Sequence, residues 1–147
     1  MAKTYYEPMH TAEHILNQTM LQLHTGERSF TTHIERKKSK VDYHFNRDLT
    51  HEEINTIENK VNKVIQSNLE ITEEFIHISD AKLKFNLERL PDEAGEEIRI
   101  IKVGDFDACP CIGQHVDNTN EIGEFKIVSS TYNDGVLRVR FKLLPRA

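Results

Sequence analysis

The chain has 147 residues, 37% hydrophobic and 29% charged, with a formal net charge of −5 at pH 7. A chain of this length fits one domain, read here as residues 1–147, and buries about 68–70% of its unfolded surface. Its apolar runs are too short for a membrane-spanning helix, and its acidic balance argues against a generic nucleic-acid binder, DNA included, resting on many phosphate contacts, though not against a local basic patch.

The segment Met1–Tyr6 lacks the apolar core of a signal peptide, so a cytoplasmic location is expected. Thr11 to about Leu23 is predicted to be a helix, with Ala12, Leu16, Met20 and Leu23 on one face. His10 and His14 fall on another face, and Gly26 ends the segment. Ser29–Ile34 and Lys40–Phe45 are predicted strands. In the second, Val41, Tyr43 and Phe45 alternate with Asp42 and His44. The basic run Arg36-Lys37-Lys38-Ser39-Lys40 joins them as a hairpin loop.

Thr50-x-x-Glu53 is a capping box. It opens a helix whose Ile54, Ile57, Val61, Val64 and Ile65 recur at helical spacing. Leu69–Ile78 is a predicted strand. Ser79 or Asp80 is placed as the cap of a short helix through about Leu87, and Pro91–Gly95 as a loop. Glu97–Val103 is a strand, and Gly104–Gly123 is expected to be irregular. Glu124–Tyr132 and Val136–Leu144 form a hairpin around Asn133-Asp134-Gly135, since Asp-Gly tolerates the positive φ that a tight turn needs. Arg138, Arg140 and Lys142 line one face of the last strand, with Arg146 beyond. The order αββαβαβββ predicts an α+β domain, a mostly antiparallel sheet packed with helices.

Two short motifs carry chemistry. His10-Thr11-Ala12-Glu13-His14 is an H-x3-H, which on a helix puts two imidazoles one turn apart. Cys111-Ile112-Gly113-Gln114-His115 is a C-x3-H, with Gly113 expected to supply the turn. Together they offer three imidazoles and a thiolate, a ligand set for tetrahedral Zn2+. Cys109 and Cys111 are too close in sequence for a good disulfide, so thiolate ligation in a reducing compartment is expected. Glu13 does not make an H-E-x-x-H protease motif, because it directly precedes the second histidine. It is expected to be a solvated helix residue. His24, His33, His44, His51 and His77 show no partner spacing and are read as surface or strand residues. Four protein ligands would fill a tetrahedron, so a purely structural zinc is an alternative to a catalytic one.

The two half-motifs are followed by the run Val116–Ile127, which contains Glu121-Ile122-Gly123-Glu124-Phe125-Lys126-Ile127. Together they resemble the alanyl-tRNA editing family, which includes the editing domain of alanyl-tRNA synthetase and the free-standing AlaX proteins. The resemblance covers most of the chain. It implies the α+β fold of the alanyl- and threonyl-tRNA synthetase editing domains, and Zn2+ held by His10, His14, Cys111 and His115. It also implies trans-editing at the acceptor end of alanine tRNA: hydrolysis of the mischarged ester, chiefly serine, with glycine second. Gln114 and Ile112 depart from the Thr and Gly usual in the family, and Cys109 adds a thiol. Removal of serine from threonine tRNA, and a non-catalytic zinc-stapled module that binds tRNA or a partner, are the alternatives.

Recognising serine against alanine needs polar groups for the extra hydroxyl. Ser29, Thr31 and Thr32 are the candidates, on the strand where the family places a hydroxyl. Arg36, Lys37, Lys38 and Lys40 are the candidates for acceptor-stem phosphates. The catalytic group is left open between a water positioned by zinc and the substrate itself.

Overall fold

The computed structural model describes residues 6–85 and 96–145. The first helix, α1 (Glu7–Met20), starts a turn earlier than Thr11, with Pro8 in its first turn, where a missing N–H costs nothing. It runs into one π-helical turn, Leu21–Thr25, which closes at Gly26 (φ 69°) with a bond to the Leu21 carbonyl. That wider turn breaks the 3.6-residue spacing. Ala12, Leu16 and Met20 are fully buried as predicted, whereas Leu23 is 42% exposed.

Strands β1 (Thr31–His33) and β2 (Ser39–His44) pair antiparallel, and the loop between them carries Arg36–Lys38. Lys40 lies within β2 rather than in the loop, paired with His33 and Arg140. Helix α2 (His51–Gln66) has both halves of its capping box, Thr50 Oγ1 accepting from the Glu53 N–H and Glu53 Oε1 from the Thr50 N–H. β3 (Ile71–His77) leads directly into α3 (Ile78–Lys84), which is capped by the His77 ring rather than by Ser79 or Asp80. It ends at Lys84 because Phe85 is extended. The loop expected at Pro91–Gly95 and the continuation to Leu87 lie outside the described residues, as does Arg146.

β4 is Glu97–Val103, as predicted. The stretch expected to be irregular contains β5 (Asp107–Pro110) and a 3₁₀ turn, Thr119–Glu121. The terminal hairpin is β6 (Glu124–Asn133) and β7 (Val136–Leu144), turning through Asp134 (φ 47°) and Gly135 (φ 86°). Both residues are left-handed, as a type I′ turn requires.

Every strand pair is antiparallel, but the described strands form two sheets, not one: β1-β2-β7-β6 and β3-β4-β5. The larger core gathers Met9, Ala12, Ile15, Leu16 and Met20 of α1 with Val41, Tyr43, Val139 and Phe141 of the first sheet. Ile57, Val61 and Ile65 of α2 and Val103 of the second sheet complete it. A smaller core, Ala81, Ile98 and Ile100, packs α3 on one face of the second sheet. Side chains alternate across a strand, so the register puts Phe75, Arg99, Ile101, Val103, Cys109 and Asp107 on the opposite face. No helix among the described residues is long and apolar enough to cross a membrane.

Candidate metal centre

The fold brings the half-motifs together. His10 and His14 project from the first two turns of α1, and Cys111 and His115 lie on the loop that follows β5. One ligand atom from each of the four lies within 4.8 Å of the others. Tetrahedral zinc with bonds of 2.0–2.3 Å has ligand–ligand edges of about 3.3–3.8 Å. The Cys111 Sγ to His10 Nε2 separation, 3.5 Å, already falls in that range.

The ring tautomers follow from the neighbours. His10 Nδ1 is 3.0 Å from the Gln114 carbonyl, which only accepts, so Nδ1 carries the proton and Nε2 keeps its lone pair. His115 Nδ1 is 2.9 Å from Thr11 Oγ1. That hydroxyl gives its one proton to the Glu7 carbonyl, so it accepts from the ring. His115 Nε2 is buried with no hydrogen-bond partner. An orphaned ring nitrogen aimed into a cluster of imidazoles and a thiolate fits a metal ligand, and outer-shell partners on the far nitrogen are the usual accompaniment. His14 Nδ1 sits 3.7 Å from Asp107 Oδ2, and Arg28 holds that carboxylate with two bonds, 2.8 and 3.2 Å.

Electrostatics separate the two cysteines. Burial alone would raise the Cys111 thiol, but the three imidazoles around it, His10, His115 and His14, outweigh it and hold it down to about 3. Cys111 is therefore a thiolate at neutral pH, the form that binds metal. Cys109 lacks imidazole donors; burial pushes it up to about 12, and Arg28 offsets only part of that. It stays a neutral thiol. Burial lowers His115 to about 4. His14 is also opposed by burial, but Asp107, Cys111 and Glu13 raise it to about 9.

Gly113 is not among the positive-φ glycines. Its part in the loop is different: its N–H donates to Cys111 Sγ, and its carbonyl accepts from Arg99.

Glu13 is not solvated. It is 5% exposed, with Oε2 accepting from Thr32 Oγ1 at 2.8 Å and Oε1 lying 3.8 Å from His14 Nε2. Because Thr32 donates its proton to Glu13, Ser29 Oγ, 3.0 Å away, donates to Thr32. The Ser29 N–H in turn binds Asn17 Oδ1. Thr31 points to the other face of β1, where its hydroxyl donates to Asp42 Oδ2, the carboxylate that pairs with Arg138. Arg36 lies 4.4 Å above the Tyr6 ring, one turn before His10; Lys37 and Lys38 are exposed in the same loop. Four histidines read as unpartnered have contacts: His24 lies 3.7 Å from Glu53, His33 lies 3.5 Å from Glu35, His44 stacks on Phe30, and His77 bonds Ser79.

Sequence reasoning missed Thr11, Glu13, Arg28 and Asp107. Thr11 and Glu13 were visible only as letters between the histidines, because a helix buried on its polar side as well has no stripe contrast to reveal them. Asp107 carried a faint signal, the alternation Asp107-x-Cys109 that marks β5.

The family model of the threonyl and alanyl tRNA synthetase second additional domain matches residues 98–140. The chain is 35% identical over 125 residues to an alanine–tRNA ligase of Pseudoalteromonas translucida, which covers 83% of this chain and 14% of that protein. It is 36% identical over 132 residues to the enzyme of Fervidobacterium nodosum (88% and 15%). It is 32% identical over 139 residues to that of Aeropyrum pernix (90% and 15%). The chain thus spans about one seventh of the length of these relatives.

Proposed function

Since the chain belongs to the alanyl-tRNA editing family, we propose that residues 1–147 act as one trans-editing domain that hydrolyses serine, and secondarily glycine, from mischarged alanine tRNA. The observation that carries this reading is the convergence of His10, His14, Cys111 and His115 within 4.8 Å, with the hydrogen-bonded array Ser29, Thr32 and Glu13 beside His14.

The scissile bond is an ester on the terminal ribose, which needs less activation than an amide. A bound Zn2+ supplies Lewis acidity at that ester. The four ligands hold it, with Thr11, Gln114 and the Arg28–Asp107 pair fixing the ring orientations. Glu13 sets the direction of the hydroxyl array. Thr32 gives its proton to Glu13, so its remaining capacity is that of an acceptor, matched to a seryl hydroxyl and to nothing on alanine. Thr31, committed to Asp42, leaves Ser29 and Thr32 as the selecting pair. Arg36, Lys37 and Lys38, on the loop beside the start of α1, with Lys40 at its base, are the candidate contacts for acceptor-stem phosphates.

The test is purified protein, zinc content measured, with seryl, glycyl and alanyl esters of alanine tRNA and the seryl ester of threonine tRNA. Seryl-alanine tRNA is expected to be cleaved fastest and the alanyl ester spared. Faster cleavage of the threonine tRNA ester would favour the threonine reading. One equivalent of zinc with no ester cleaved faster than in buffer would leave a zinc-stapled module.

A further inference from the structure

The face of the second sheet that carries Asp107 and Cys109 beside the metal ligands does not end there. The register continues it through Ile101 to Arg99 and Phe75. Ile101 is buried, whereas Phe75 is 59% exposed. Across from it stands Ile112, 64% exposed, on the loop between the ligands Cys111 and His115. These residues, with Arg99, Glu97 and Gln114, line an open groove of about 300 Å³. Large apolar side chains left this exposed on a wall shared with a functional site mark a ligand surface.

The loop joins groove and metal site physically. Its Gln114 carbonyl holds His10, while Arg99 grips the carbonyls of Cys111 and Gly113 from the groove side. Arg99 is itself tied to Glu73, so this floor is rigid and its charge is compensated. A neutral ligand with a flat apolar face suits such a groove better than a phosphate does. Aromatic side chains on sheets are standard platforms for unpaired bases. The edge chemistry agrees with a purine: glutamine binds adenine through its amine and ring nitrogen, and the Glu97 carboxylate is a further acceptor for an exocyclic amine.

We propose that the groove between Phe75 and Ile112 seats the terminal adenine of the tRNA whose ester is presented to the metal site. The inference rests on the editing reading above. The ester and the base hang from the same ribose, so a base site must lie one sugar away from the reacting bond. The groove adjoins the cluster as this requires, since both are built on the 111–115 loop.

The experiment is a cycle. A seryl-esterified acceptor-stem microhelix ends either in adenosine or in an abasic ribose, and each is assayed with the unaltered protein and with Phe75→Ala. Loss of one stacking surface is expected to lower kcat/KM about tenfold on the adenosine-ended substrate. It should change nothing on the abasic one, where the partner is already gone. Gln114→Ala should cut the preference for terminal adenosine over guanosine, with KM moving and kcat held. Zinc content and the Co2+ absorption spectrum should be unaltered in both variants, which separates a base site from a damaged metal site. Equal losses on the two substrates, or none on either, would overturn the proposal. If the unaltered protein hydrolyses no ester, the editing reading falls. The groove is then judged by equilibrium binding of the uncharged adenosine-ended and abasic microhelices: a Phe75-dependent difference sustains the base site, and its absence refutes it.

Discussion

Thr11→Val is the sharpest probe of the metal centre, because it keeps the side-chain shape and deletes one oxygen. That oxygen, fully buried, donates to the Glu7 carbonyl and accepts from His115 Nδ1 at 2.9 Å and from the Val116 N–H at 3.3 Å. The Glu7 carbonyl lies in the helix and keeps its backbone bond. The Val116 contact is long, so little is lost there. What matters is the Nδ1 proton. In the metal-free protein the His115 ring can move that proton to Nε2 and present it to the Cys111 thiolate. With a metal on Nε2 that escape is closed, and the buried Nδ1–H is orphaned. An orphaned buried donor costs about 1–3 kcal/mol, so zinc affinity should fall about 5- to 150-fold while metal-free stability falls much less. Competition with a chromophoric chelator measures the first, and thermal unfolding of the metal-free protein the second. Unchanged affinity in Thr11→Val, with His115→Ala still abolishing binding, would refute the role given to the Thr11 hydroxyl while leaving His115 a ligand.

In the metal-free protein Cys111 should alkylate readily at neutral pH and be protected by zinc, whereas Cys109, pushed up to about 12, should react slowly in either state; peptide mapping after iodoacetamide distinguishes them. Thr32→Val should lower the seryl-to-alanyl cleavage ratio on alanine tRNA about tenfold or more, while Thr31→Val should leave the ratio unchanged and lower only the melting temperature. Arg47 and the Thr50 N–H hold the Glu53 carboxyl down to about 2. A carboxyl depressed on folding contributes stability above its unfolded value near 4.5 and loses it as pH falls toward 2. The Glu53→Gln penalty should therefore be largest near neutrality, shrink as pH falls from about 4.5 and vanish only below pH 2, and the pair's exposure keeps it small. Gly123→Ala should destabilise by roughly 1–3 kcal/mol, because φ is +93° and a Cβ would lie 2.5 Å from the Leu144 carbonyl oxygen. Gly26→Ala, left-handed but with open space around it, should cost less in the same denaturation assay.

The His/Cys cluster, the antiparallel pairing and the terminal hairpin were legible in the sequence because each rests on local chemistry: motif spacing, alternation, an Asp-Gly turn. The split into two sheets was not, since strand patterning says which face is buried and not which strand is the neighbour. Leu23 was misplaced because nothing in Leu21–Thr25 announces a π turn. Glu13 was read as solvated because a carboxylate on a helix usually is. Its burial depends on Thr32, nineteen residues away, arriving with a hydroxyl. β5 was lost among the Asp, Cys and Pro residues that make a strand a poor expectation, although those residues are what bring Asp107 to His14.

A zinc held by all four residues would have a filled ligand shell, which raises the question of whether it would staple the fold. The packing answers against it. α1 is held by Met9, Ala12, Ile15, Leu16 and Met20 in the larger core, none of them a ligand. The segment bearing β5 and the 111–115 loop is tied to the N-terminal part of the chain by other links: Gln18 to the Phe106 carbonyl, Arg28 to Asp107, Thr11 to the Val116 N–H. With both sides anchored independently, the two half-motifs meet whether or not an ion is there to draw them together. Such a preformed cluster still buries a His115 ring nitrogen without a hydrogen-bond partner, and an unpaired buried polar atom costs stability. A fold whose core does not depend on the cluster, yet bears that cost, is better explained by a cluster that serves a ligand than by one that serves the fold.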